Sequence, residues 1–159
     1  MLAIVWHSRT GAARAMAEAA FAGARDAGEV VMLAAESAQP DAMLAARGYL
    51  FAAPENLATM SGAMKEFFDR CYYPLLGRIE GRAYATLIAA GSDGSGAQAQ
   101  INRIATGWRL RRVAEPLIAV MRAQTPEEIL APKRVDPAVL ARCREMGQAL
   151  TEGLALGVF

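Results

Sequence analysis

Apolar and polar positions alternate along this chain with two different periods. Leu2-Ala3-Ile4-Val5-Trp6 is an uninterrupted apolar run of strand length, the pattern of a strand covered on both faces. From Ala12 to Ala27 the period becomes helical. Ala13, Met16, Ala17, Ala20, Phe21 and Ala24 share one face, Arg14 and Glu18 sit four apart on another, and Gly28 suits the position just past the helix end. Val30 to Leu33 reads as a second strand and Pro40 to Ala46 as a brief helix. Gly48 to Ala53 reads as a third strand, stopped at Pro54. Ser61 has the chemistry of an N-cap, and the helix it opens puts Met64, Phe67, Phe68, Cys71, Tyr72 and Leu75 on one broad face. Gly77 and Gly81 bracket the next turn, and Ala83 to Ala90 is a fourth strand. A glycine-rich loop leads to a helix from about Ala97 to Arg109. Val113 to Val120 is a fifth strand, pushed toward an edge by Pro116. Thr125 to Asp136 reads as a loop punctuated by prolines, and Pro137 suits the first turn of a last helix ending near Leu156.

Five strand–helix repeats in 159 residues predict one α/β domain over residues 1–159. Strand–helix alternation demands a parallel sheet with right-handed crossovers and helices on both faces. Such sheets bind ligands outside the carboxyl ends of their strands, near the point where strand order reverses. The loops after the first, third and fourth strands are therefore the places to seek chemistry.

The first of them is His7-Ser8-Arg9-Thr10-Gly11-Ala12-Ala13-Arg14. Two hydroxyls and a glycine stand directly before a helix whose first N–H groups have no intrahelical partner and carry the positive end of the dipole. Small residues at Gly11, Ala12 and Ala13 allow close approach, which suits a nest for a terminal phosphate. An ordinary capped helix, with Ser8 or Thr10 as the cap, fits the same residues. The loop lacks the GxxxxGK[ST] phosphate motif, and Gly91, Gly94 and Gly96 have the wrong order for the GxGxxG dinucleotide motif.

The loop after the third strand runs Pro54-Glu55-Asn56-Leu57-Ala58-Thr59-Met60-Ser61-Gly62-Ala63-Met64-Lys65, then Phe67, Phe68, Asp69 and Arg70. Here the chain resembles the flavodoxin-like NAD(P)H-dependent FMN and quinone reductases. Their second loop commonly reads Pro, a few variable residues, Met-Ser-Gly-x-Met-Lys, a helix with Phe, and Asp-Arg. The resemblance implies a flavodoxin-like three-layer sandwich, with a five-stranded parallel sheet in the order 2-1-3-4-5 and helices on both faces. It implies FMN as cofactor. The phosphate is expected at Ser8, Arg9, Thr10, Gly11, Ala12 and Ala13. The ribityl chain and ring are expected along Pro54, Glu55, Asn56, Leu57 and Ala58, with Gly91, Ser92, Asp93 and Gly94 capping the ring's pyrimidine side. The chain departs from the pattern at Ala13, where Thr or Asn is usual, and at Leu57-Ala58, where an aromatic and Gly are usual. Both departures predict weaker FMN binding than the pattern confers.

Other chemistries find little support. His7 and Ser8 are strand neighbours that point to opposite faces, so they form no dyad with each other. No GxSxG elbow exists. His7-Ser8 stands where a receiver domain needs acidic residues for Mg²⁺. No cluster has metal-ligand spacing, and Cys71 lies on an apolar helix face as a buried thiol. Glu55, Asp69 and Asp93 read as loop or surface charges, so no catalytic side chain is assigned: the flavin carries the hydride chemistry. Net charge +1 gives no electrostatic reason for a nucleic-acid partner, and Arg109, Arg111 and Arg112 read as cations at a helix end. No apolar run reaches the roughly 18 residues of a membrane span and no secretory pattern opens the chain, so a cytoplasmic protein without a membrane partner is expected. The expected function is electron transfer from NAD(P)H through FMN to a quinone, flavin or similar small acceptor. The alternative is an electron-transfer flavodoxin docking on redox proteins. Such carriers are usually strongly acidic and cover the ring with loop aromatics. This chain is near neutral, and Glu55–Met60 and Gly91–Gly96 hold no aromatic. A mean hydropathy of +0.18, with Leu57 and Met60 in a site loop, predicts a homodimer or tetramer.

Overall fold

The apolar runs become the inner strands of one sheet. In the computed structural model, which describes residues 1–159, β1 (Leu2–Trp6) lies between β2 (Val30–Ala34) and β3 (Gly48–Asn56), parallel to both. β5 (Ala83–Ala90) lies parallel on the far side of β3. Successive side chains face opposite layers, as a pleated strand requires. Leu2, Ile4, Leu50, Ala52 and Leu87 pack against α1 (Ala12–Ala27) and α6 (Pro137–Leu156). Ala3, Val5, Tyr49, Phe51 and Ile88 pack on the other side, under α2 (Pro40–Ala45), α3 (Gly62–Leu75) and α4 (Ser95–Gly107).

The two layers are built differently. The α3–α4 side is aromatic: Phe51, Phe67, Phe68 and Trp108 stack at centroid distances of 5.1–6.5 Å. Its buried polar groups pair completely. Thr86 donates to Gln98 (2.6 Å), and Gln98 and Tyr84 both donate to Asn102 (2.7 and 3.0 Å). On the opposite face α1 and α6 approach so closely that only glycine fits the crossing. A Cβ on Gly147 would lie 2.0 Å from the Ala20 carbonyl oxygen, and one on Gly23 would lie 2.0 Å from that of Arg144.

The strand path β2-β1-β3-β5-β6 matches the expected order, but the sheet has seven strands rather than five. The additions have local causes. The fifth strand is split: β6 (Arg111–Arg112) pairs the start of β5 and β7 (Leu117–Val120) its end, while Val113–Pro116 bulges out between them. Pro116 has no N–H for a ladder bond and sits in that break. Arg111 and Arg112 are thus strand residues, not helix-end cations, and Arg109 pairs with Glu80 (3.0 Å). The third strand does not stop at Pro54. It continues to Asn56 because β1 has already ended opposite Ala52, and Pro54 still pairs with Ala89 of β5. The extension then folds back as β4 (Thr59–Met60), antiparallel to β3. A final element, α5 (Pro126–Leu130), occupies the segment expected to be loop.

Candidate functional site

Three loops leave the carboxyl ends of β1, β3 and β5 side by side. In the first, Gly11 is the N-cap of α1 at φ 96°, a left-handed conformation that favours glycine. No side chain caps the helix and its first turn carries no acidic residue. The first intrahelical bond outside the cap runs from Ala15 N–H to the Gly11 carbonyl (2.9 Å), so the N–H groups of Ala12, Ala13 and Arg14 lack helical partners. Ser8 is not a cap: its Oγ accepts from Gly11 N–H (3.1 Å) and tightens the turn.

The second loop is a hairpin with Leu57 and Ala58 at its tip, both left-handed, at φ 51° and 60°. Tight hairpins of this twist favour Asn-Gly, and each side chain here costs about 1 kcal/mol or more of backbone strain. Leu57 is 98% exposed. What holds the hairpin is its seat on α4. The Glu55 carboxylate accepts from Gly94 N–H (2.9 Å) and Ala97 N–H (3.0 Å), and Met60 N–H donates to Gln100 (2.8 Å). A Cβ on Gly96 would sit 2.0 Å from the Ala58 carbonyl oxygen. Glu55 is therefore not a free loop charge. It caps α4 from outside and joins the second loop to the third. The buried Asn56 amide nitrogen has no hydrogen-bond partner.

The loops enclose a cavity of about 670 Å³. From the first loop it is lined by Ser8, Arg9, Thr10, Ala12 and Ala13; from the second by Pro54, Glu55, Asn56, Leu57 and Ala58; and from the end of β5 by Ala89 to Ser92. Gly11, Asp93 and Gly94 stand outside the lining. Gly11 shapes the first turn, Asp93 bonds to the Ser95 hydroxyl, and Gly94, at φ 93°, caps α4 and donates to Glu55. The remaining wall is not among the residues singled out in the sequence. It is formed by Met121, Ala123, Ile129, Leu130 and Lys133. A readable signal marked this wall. Thr125-Pro126-Glu127-Glu128 is a capping box with proline at the first helical position, and both of its reciprocal bonds form. Backbone N–H groups of Gln124 and Thr125 donate to the Glu128 carboxylate and hold its pKa below the ordinary value.

His7 directly follows β1 and precedes the first loop's Ser8. Ser61 does occupy the N-cap position of α3, but its hydroxyl bonds His7 Nδ1 (2.8 Å) instead of a backbone N–H. Glu36 lies 3.5 Å from His7 Nε2. This arrangement assigns the proton to Nε2, facing the carboxylate, and leaves Nδ1 to accept from Ser61. Acid, imidazole and hydroxyl stand in the order of a hydrolytic triad, yet Ser61 is 1% exposed and stands outside the lining of the 670 Å³ cavity. The trio is a tether between the first and second loops. Burial lowers the His7 pKa and Arg9 adds to the effect, against the opposing pull of Glu36. A folded-state pKa below the ordinary 6.5 means that the folded state resists protonation. The neutral ring's contribution is present above about pH 6.5 and is lost as pH falls through the lowered pKa. Stability measured by urea denaturation should therefore drop on the acid side of pH 6.5, and His7→Asn should flatten that drop.

No helix is long and apolar enough to cross a membrane. Comparison with known proteins places this geometry. The chain is 32% identical to a flavodoxin from Aquifex aeolicus (strain VF5) over 95 residues, which are 58% of this chain and 51% of that protein. The match thus spans about half the length of that relative. Among solved structures it superposes on a flavodoxin from the domain Archaea with a TM-score of 0.77 at 18% identity, covering 98% of this chain and 99% of that one. A flavodoxin, WrbA-like protein from Agrobacterium tumefaciens gives 0.77 at 17% identity, covering 98% and 97%. A flavone reductase gives 0.73 at 19%, covering 97% of this chain and 62% of that one. At such identities these structures establish the flavodoxin-like fold. The model of the NADPH-dependent FMN reductases matches residues 34–125, which run from the end of β2 through the hairpin and the Gly91 loop to Thr125. That span is more than half of the chain, and the protein belongs to the NADPH-dependent FMN reductase family, a flavoprotein family with FMN as its cofactor.

Proposed function

We propose that the chain is a single-domain oxidoreductase that passes electrons from NAD(P)H through FMN to a quinone, free flavin or similar small acceptor. FMN is read into the 670 Å³ cavity, with its phosphate at Ser8–Ala13 and its ring between Pro54–Ala58 and Gly91–Ser92. The residues fit the group. The unpartnered N–H groups of Ala12, Ala13 and Arg14 supply donors for a phosphate, the first turn of α1 carries no acidic residue, and the Thr10 hydroxyl adds a donor. When bound, FMN supplies two-electron hydride chemistry. The chain's own part is to hold and expose it. Glu55 keeps the hairpin seated on α4, His7 and Ser61 hold the first loop against the second, and Leu57 and Leu130 offer apolar contact at the mouth.

One observation favours an enzyme over a carrier: no aromatic side chain lines the cavity. A flat ring held there has nothing stacked over it and leaves room for a nicotinamide or quinone. The test is an anaerobic titration of FMN-loaded protein with NADPH and then NADH, followed in the visible range. Direct bleaching by either nucleotide is expected. Bleaching by neither, together with reduction only through a partner reductase, would make the chain a carrier.

Two further parts of the reading concern its setting. Leu57, Leu130 and Ile129 are exposed around the mouth, and a homodimer or tetramer that covers them is expected. Light scattering at micromolar concentration with FMN present checks this, and a monomer's mass would refute it. Two free, buried thiols and no disulfide agree with a cytoplasmic location, which fractionation of the source cells would test.

A further inference from the structure

Lys133 lies outside every motif of the sequence and outside the residues matched by the family. It nevertheless lines the same cavity as Ser8, Arg9 and Thr10. Its backbone N–H donates to the Thr10 carbonyl (2.8 Å), which fastens residue 133 to the first loop. Its ammonium donates to the carbonyls of Ile129 (3.0 Å), Ala131 (2.6 Å) and Glu128 at the end of α5. A lysine has three N–H donors, and here all three are held by uncharged acceptors. No carboxylate pairs with Lys133, and none pairs with Arg9 beside it in the lining. Asp136, the nearest acidic group in sequence, accepts from Ala138 N–H at the start of α6, and the Glu128 carboxylate accepts from Gln124 and Thr125 N–H, with the charge of Lys133 adding to its lowered pKa.

A fixed cation with no carboxylate in ion-pair contact thus belongs to a residue that lines the same cavity as the start of α1, which already carries partial positive charge. Gathering positive potential at one point is unfavourable for the chain alone and favourable for an anion placed there. We propose that Lys133 recognises the phosphate monoester of FMN and sets the preference of the cavity for FMN over riboflavin. The role differs from that of the N–H groups of α1, which orient the phosphate by hydrogen bonds. Lys133 acts as an immobile charge, positioned by α5 and its capping box. It rests on the reading of the cavity as the FMN site.

The test measures dissociation constants of FMN and riboflavin for the full-length wild type, Lys133→Gln and Lys133→Arg. Lys133→Gln should weaken FMN about tenfold, the scale of one unit charge acting on a dianion near a surface, and leave riboflavin unchanged. Lys133→Arg should keep the wild-type ratio. Equal weakening of both flavins would make Lys133 only a staple for α5 and overturn the proposal, as would unchanged FMN binding in the glutamine variant. Should that variant fail to fold, the wild type still decides. Its FMN-to-riboflavin preference should shrink as salt rises from about 20 to 500 mM, because screening acts on the charged ligand alone. A preference insensitive to salt overturns the proposal. A wild type that binds neither flavin removes the FMN reading itself, and this proposal with it. A wild type that binds both, with all variants alike, removes only the role of Lys133.

Discussion

Gly96→Ala should weaken FMN binding by about 30- to 100-fold while leaving the chain folded. The added Cβ would lie 2.0 Å from the Ala58 carbonyl oxygen and 2.9 Å from its carbon, closer than any real contact. Both atoms are backbone, so no side-chain rotation relieves the clash and the hairpin has to lift off α4. Lifting it breaks the two bonds from Gly94 and Ala97 to the Glu55 carboxylate and the bond from Met60 to Gln100. Hydrogen bonds to a charged group contribute about 1.5–3 kcal/mol each, so displacing even one changes the cavity wall by the stated factor. Helix propensity pulls the other way, since alanine in α4 gains up to about 1 kcal/mol over glycine. The clash is larger, so the sign is a loss. Gly62→Ala is the control: it adds the same methyl at the start of α3, with nothing within 4 Å. Fluorescence titration of both variants checks the contrast. Wild-type binding by Gly96→Ala would mean that the hairpin does not rest on α4.

The second large effect is on the fold itself. Gly147→Ala should destabilise the protein by about 3 kcal/mol, because its Cβ would meet the Ala20 carbonyl oxygen at 2.0 Å, the carbon at 2.7 Å and the Cα at 2.9 Å. Two helices cannot separate locally. Moving α6 outward thins the contact of Cys143, Leu150 and Leu154 with the α1 alanines, and overpacking of this kind costs about 1–3 kcal/mol or more against about 1 kcal/mol of regained helix propensity. Gly23→Ala meets Arg144 in the same way from the opposite helix. Combining the two should cost less than their sum, since the first already opens the crossing. Urea denaturation of the two single variants and the double measures all three values. A loss below about 1 kcal/mol for Gly147→Ala would contradict the close crossing.

These two glycines illustrate where the amino-acid sequence stops being readable. The strands were legible because burial on both faces removes the polar half of the pattern. α1 was legible to its end residues, because its alanine face and Gly28 both mark it. The parallel sense of the sheet followed from the alternation of strand and helix, and the order of its inner strands from the family resemblance of the second loop. Pairings between distant residues were not legible. Glu55 meets the start of α4 about 40 residues on, and Ser61 meets His7 across 54. Nothing local distinguishes a glutamate that caps a remote helix from one in water. Pro54 misled for a related reason: whether a proline ends a strand depends on whether a neighbouring strand is still alongside. The wall formed by α5 was legible in principle, since its capping box is a local signal. The prolines on either side of it read more strongly as loop.

The two cysteines divide between the layers: Cys71 packs in the aromatic core over α3 and α4, Cys143 in the alanine-rich core between α1 and α6. Burial pushes both thiols up to about 11, so at neutral pH the reactive thiolate is on the order of one part in ten thousand on each. Alkylating reagents therefore reach them only when a layer opens. Each cysteine times the opening of its own side of the sheet, with no label added. Equal modification rates at Cys71 and Cys143, read by mass spectrometry of the two peptides, would mark cooperative unfolding of the whole sheet. A faster rate at Cys143 would mean that α6 peels away first and the aromatic side survives as a folding unit of its own.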